Sequence, residues 1–192
     1  LIFNPSVNEA LLSFLWRALL MEKAEVILKA RRFQIERVVQ HCPDGGQHVR
    51  EIVRHPGAVV ILPFLDDGRV VFVSNYRVAV EGTLIELPAG TLDHSSDPLL
   101  TAQRELAEET GFRAGNLRHL LTFFMSPGIL DEKMHFFLAT SLTAGKPAPE
   151  PGEEIEPFFC SWEAAMSMVR RGDICDAKTL VGLLYYDRFL RC

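Results

Sequence analysis

Residues 104–112 read RELAEETGF, with Glu105, Glu108 and Glu109 crowded into five positions and Gly111 closing the run. The segment before it has helical period: Leu99, Ala102, Gln103, Leu106 and Ala107 fall on one spacing, and the charged residues take another part of the surface. Asp97-Pro98 supplies a cap and a first-turn proline, and Gly111 supplies a C-terminal stop, so a helix is predicted from about Asp97 to Thr110. On it Glu105 and Glu109 share a face, and Glu108 lies one turn from Glu105. Like charges so placed repel. A hard divalent cation reverses that sign, because Mg²⁺ and Mn²⁺ take carboxylate oxygens. A solvated acidic face is the competing reading, and three glutamates alone favour it.

Working outward, strand-like runs lie on both sides. Residues 33–40 (FQIERVVQ) and 48–55 (HVREIVRH) alternate around the turn CPDGGQ and read as a hairpin. Residues 57–65 and 69–77 are β-branched runs around Asp66-Asp67-Gly68, a further hairpin signal. Beyond the helix, LRHLLTFFM, EKMHFFLATSL and IEPFFCSW read as strands. Two more helices are predicted, one capped by Ser161 and one running from about Asp176 to Leu190. The expected class is a mixed α/β domain built around one central helix.

Composition narrows the function classes. The 192 residues, 48% hydrophobic and 23% charged, suit an ordinary globular chain with a substantial core. A net charge of −5 argues against general nucleic-acid binding, which needs clustered Lys and Arg. Cys42, Cys160, Cys175 and Cys192 form no CxxC pair, which favours reduced thiols and a cytoplasmic protein. The apolar run ALLSFLWRALLM (10–21) is interrupted by Arg17 and too short to span a bilayer, so no membrane partner is expected, with a short amphipathic interfacial helix as the alternative. Residues 1–20 are read as a leader whose status stays open.

The helix and its flanks resemble the Nudix box. Gly90, Arg104, Glu105, Leu106, Glu108, Glu109, Gly111 and Phe112 stand at its spacing. One position departs: Ser96, with Asp97 beside it, occupies the place of an early glutamate. HPGAVVILP (55–63), Tyr76-Arg77, ELPAG (86–90), SPG (126–128) and DAKT (176–179) are similar to the ADP-ribose pyrophosphatase branch, as is Pro127, sixteen residues after Gly111.

The resemblance implies a Nudix-type α/β/α sandwich with a mixed sheet over 56–192, preceded by a small antiparallel sheet in 21–55 that joins two copies as a homodimer. It implies Mg²⁺ or Mn²⁺ held by Glu105, Glu109, Glu108 and the carbonyl of Ala89, with Arg104 supporting the cluster. A catalytic carboxylate is expected from GEEIE, Glu153 first, then Glu154 or Glu156. Arg77 and Arg50 are candidates for phosphate, since a guanidinium binds its oxygens bidentately. Glu86, Pro127 and Gly128 are candidates for the substrate pocket, with Glu86 read alternatively as a loop brace. Asp176, Lys178 and Thr179 are expected to cap a helix or brace the fold. The implied activity is hydrolysis of ADP-ribose to AMP and ribose 5-phosphate. Its alternatives are another nucleoside diphosphate-X, such as a nucleotide sugar, and a non-catalytic ADP-ribose sensor.

Overall fold

A computed structural model describes residues 24–42, 44–93, 96–149, 152 and 154–191. They form two compact units. The first holds strands β1 (Glu25–Lys29), β2 (Gln34–His41) and β3 (Gln47–Arg54) in one antiparallel sheet of order β1-β2-β3. Ser126–Asp131 belongs to this unit, not to the strands around it in sequence. The Val53 amide donates to the Ile129 carbonyl at 2.8 Å, and Asp131 returns a bond to Val53 at 3.1 Å. Asp131 also takes Arg54 at 3.1 Å and the His55 amide at 2.8 Å through its two oxygens.

The second unit, Pro56–Met125 and residues from Glu132 onward, contains the remaining elements. They are β4 (Ala58–Pro63), β5 (Val70–Arg77), a 3-10 turn (Val78–Val80), β6 (Gly82–Glu86), β7 (Ala89–Thr91) and α1 (Pro98–Thr110). Then come β8 (Phe112–Phe124), β9 (Lys133–Ala144), β10 (Ile155–Cys160), α2 (Trp162–Arg171) and α3 (Ala177–Phe189). One sheet has order β7-β4-β9-β8, with β4 and β9 parallel and the other pairs antiparallel; the second has order β10-β5-β6.

The β4–β5 hairpin expectation is corrected. The turn closes locally, with Leu65 bonded to Arg69 at 2.8 Å and a bridge between Phe64 and Val70. The strands then part into different sheets. Every residue of β4 is buried, so its two faces serve two cores. Val59 and Ile61 meet Ala102 and Leu106 of α1 together with Phe137. Val60 and Leu62 meet Phe72, Leu87, Trp162 and Leu183 on the other side. Each such aliphatic side chain contributes about 1.5–3 kcal/mol on full burial. Trp162 is a packing residue, stacked on Phe64 at 5.8 Å between ring centres.

The helix ends follow their capping residues. Asp97 accepts from Leu99 N at 2.8 Å, Ser161 from Ala164 N at 3.2 Å and Asp176 from Thr179 N at 3.0 Å. Gly111 ends α1 at φ 76°, and a Cβ there would lie 2.8 Å from the backbone nitrogen of Pro147. Among the described residues no helix is long and apolar enough to cross a membrane.

Candidate active site

The acidic face of α1 is arranged around one cation. Arg104 donates through Nη2 to Glu105 Oε1 and through Nη1 to Glu108 Oε2, each at 2.6 Å. Burial works against the Arg104 charge, but the two carboxylates outweigh it and hold its pKa above the ordinary arginine value. Glu109 points inward, is 4% exposed, and accepts the Ala89 amide at 3.1 Å through Oε2. The strand containing Ala89 therefore lies against the helix that carries the glutamates.

Gly90 explains its own identity here. A Cβ at this position would fall 1.9 Å from Cδ of Glu105 and 2.1 Å from its Oε1. The Glu105 carboxylate occupies the space that any other residue at position 90 would fill. Spacing between a glycine and a glutamate fifteen positions on is thus a direct contact.

Residues 87–89 are held at three successive points. Leu87 N donates to Thr179 Oγ1 at 2.8 Å, Ile61 N donates to the Pro88 carbonyl at 2.9 Å, and Ala89 N donates to Glu109. The segment joins two short strands, since Glu86 ends β6 and Ala89 begins β7. The two strands are too short to show a period.

Beside it lies a second charged group. Glu86 is 1% exposed, yet it receives Arg77 Nε at 2.8 Å, Arg77 Nη2 at 2.6 Å and Lys178 Nζ at 2.6 Å. Burial pushes its pKa up, but the Arg77 and Lys178 contacts together hold it below the usual carboxylate range. Arg77 is raised in turn, chiefly by its bonds to Glu86, and the charges of Glu109 and Asp176 add to this. Lys178 also reaches Asp176 Oδ1 at 2.9 Å, and Thr179 donates its hydroxyl to Asp176 Oδ2 at 2.6 Å. Asp176 thus both caps α3 and braces the fold, the two roles anticipated for this cluster. Its link to Glu86 was invisible in sequence: the partners are 92 positions apart and no pattern joins them.

The other candidates are distributed differently. Arg50 is exposed on β3, and Pro127 and Gly128 lie in an exposed turn; all three belong to the first unit. Glu154 is exposed and its carbonyl accepts Tyr76 N at 3.2 Å, while Glu156 is exposed on β10 opposite Ser74. Glu153 lies outside the described residues, as does the 1–20 leader. Among the described residues no three acidic, histidine or cysteine side chains already converge as a closed metal-ligand set; the α1 carboxylates are drawn to Arg104 and Ala89 instead.

Comparison with known proteins shows the family. The NUDIX domain family matches residues 53–180. An ADP-ribose pyrophosphatase of Bacillus subtilis (strain 168) is 39% identical over 145 residues, 74% of this chain and 78% of that protein. A GDP-mannose pyrophosphatase of Salmonella typhimurium is 36% identical over 149 residues, 72% and 78% of the two chains. The crystal structure of an ADP compounds hydrolase superposes with a TM-score of 0.77 at 23% identity, covering 88% of this chain and 92% of that one, which bears on the fold. The match spans two thirds of the sequence: the chain belongs to the NUDIX domain family.

Proposed function

We propose that this chain hydrolyses the diphosphate bond of ADP-ribose to AMP and ribose 5-phosphate. The observation that carries the proposal is the α1 edge: Arg104 bridging Glu105 and Glu108, Glu109 on the Ala89 amide, and Gly90 leaving room for the Glu105 carboxylate. Similarity to the Bacillus subtilis ADP-ribose pyrophosphatase supports the substrate.

The donor set fits a hard divalent cation. All its side-chain donors are carboxylate oxygens, the ligand type such cations take. In this reading Glu105, Glu108, Glu109 and the Ala89 carbonyl hold Mg²⁺ or Mn²⁺, which when bound offsets phosphate charge and makes water acidic. Arg77 holds a phosphate oxygen, and Arg104, bonded to both, offsets the repulsion between Glu105 and Glu108. A carboxylate of the 153–156 run, Glu153 first, accepts the proton of the attacking water. Arg50, Pro127 and Gly128 of the first unit are proposed substrate contacts, and Glu86 acts through Arg77.

The N-terminal strands, 21–55, are proposed to join two copies in a homodimer. Val26, Leu28 and Val49, each about half exposed or more, supply an apolar surface for that contact. The net charge supports a small-molecule substrate over nucleic acid, and the spaced thiols support a cytoplasmic location.

The second reading, a nucleotide-sugar hydrolase, is favoured by the GDP-mannose relative. One assay separates the readings: ADP-ribose, GDP-mannose and NADH are each incubated with Mg²⁺ or with chelator, and products are identified. AMP and ribose 5-phosphate, formed fastest from ADP-ribose and only with metal, are the expected result. Faster release from GDP-mannose establishes the second reading. ADP-ribose binding with no turnover of any substrate establishes a sensor.

A further inference from the structure

Glu86 has two cations on it, one more than a buried carboxylate needs for neutrality. The excess is met behind Lys178, where Asp176 takes the same ammonium. The four charged groups form a row, Arg77, Glu86, Lys178, Asp176, whose sum is zero. At its outer end the Arg77 side chain is 42% exposed. Its Nε and Nη2 are committed to Glu86, while Nη1 has no hydrogen-bond partner among the described residues. A bidentate carboxylate thus fixes the guanidinium plane and leaves one edge for an anion.

A second branch leaves the same first turn of α3. The Thr179 hydroxyl donates to Asp176 and accepts from Leu87 N, two positions before Ala89. One branch therefore ends at a free guanidinium edge, and the other at the backbone that faces Glu109.

We propose that Lys178 and Thr179 are positioning residues with separate outputs: Lys178, through Glu86, governs anion binding at Arg77, and Thr179, through Leu87, governs the placement of Ala89 beside the α1 glutamates. This rests on the reading of the site as one for a diphosphate. Removing the Lys178 charge converts the row from neutral to a net negative charge behind Arg77, which repels an incoming phosphate. Removing the Thr179 hydroxyl leaves that charge alone and releases the Leu87 amide.

The test uses the full chain with Mg²⁺ and ADP-ribose. Lys178→Met is expected to raise KM about tenfold with kcat within about twofold, as one charge several ångströms away implies. Lys178→Arg restores KM. Thr179→Val is expected to lower kcat and weaken Mn²⁺ binding read by electron paramagnetic resonance, with KM little changed, and Thr179→Ser restores both. A KM unchanged in Lys178→Met, no rescue by Lys178→Arg, or kcat falling in both variants in proportion to thermal stability with Mn²⁺ affinity unchanged in Thr179→Val, overturns the inference. If the wild type turns over no nucleoside diphosphate, the proposed function fails. The inference is then decided by calorimetric titration with inorganic pyrophosphate: weaker binding to Lys178→Met than to wild type supports it, and equal binding overturns it.

Discussion

Two clusters of the same residue types lie on either side of residues 87–89, and their carboxylates take different kinds of partner. On α1, Arg104 bridges Glu105 and Glu108, and Glu109 takes a backbone amide. Around Glu86, two acids face two bases. The buried cluster is complete by itself, as it must be, because an uncompensated charge there is far costlier than one at the surface. The α1 edge gathers three carboxylates within five residues of one helix. A glutamate count alone does not separate brace from site; the kind of partner each carboxylate takes does.

The largest expected effect breaks the α1 side of this contrast. Glu109→Gln keeps an oxygen for the Ala89 amide, so the fold stands, but it removes one anionic donor. Metal-dependent kcat/KM should fall by roughly 10²–10³-fold, the scale of several kcal/mol of charge stabilisation. Thermal melting near the wild-type value, measured alongside, keeps this loss assigned to the site. Unchanged turnover would remove Glu109 from it.

Gly90→Ala tests the same edge by geometry. The added methyl meets the far end of a flexible side chain, so Glu105 moves and the backbone does not. A carboxylate displaced by an ångström or more costs about 10²-fold in rate, and Mn²⁺ affinity should drop with it. Wild-type Mn²⁺ affinity in Gly90→Ala would mean that Glu105 is not a ligand.

On the Glu86 side the same kind of substitution should be read as stability. Glu86→Gln leaves Arg77 and Lys178 facing a neutral amide, a loss of about 3 kcal/mol on the scale for breaking a buried pair. Urea denaturation at neutral pH measures it. A loss no larger than that of an exposed pair, about 1 kcal/mol or less, would show that the cluster is not the closed unit described.

Much of this was legible in sequence because it is local. The α1 helix, its Asp97 cap and its Gly111 stop follow from residues within fifteen positions of one another, and the glutamate face follows from their period. What was not legible depends on distant partners. The Asp66-Asp67-Gly68 turn was read as a hairpin, but both faces of β4 are apolar, so β4 takes β9 and β7 as neighbours and lets β5 go. Gly90 was legible only as a spacing, and the contact with Glu105 gives its cause. Lys178 carried a capping signal through Asp176 but nothing pointing to Glu86.

The smallest expected effect is the pH dependence of the difference between the clusters. Glu86 has a folded pKa below its unfolded value of about 4.3, because Arg77 and Lys178 outweigh its burial. A depressed carboxylate contributes stability that is fully present above the unfolded pKa and is lost as pH falls through the folded one. The wild type should therefore lose its advantage over Glu86→Gln progressively below about pH 4.3, as the protonated acid comes to resemble the amide. Urea midpoints of both proteins between pH 6 and the acid limit follow this directly. A gap that stays constant over that range would mean that Glu86 stabilises the fold by its shape and hydrogen bonds, with its charge contributing nothing. The row Arg77, Glu86, Lys178, Asp176 would then have no means of transmitting a charge change from Lys178 to the free edge of Arg77.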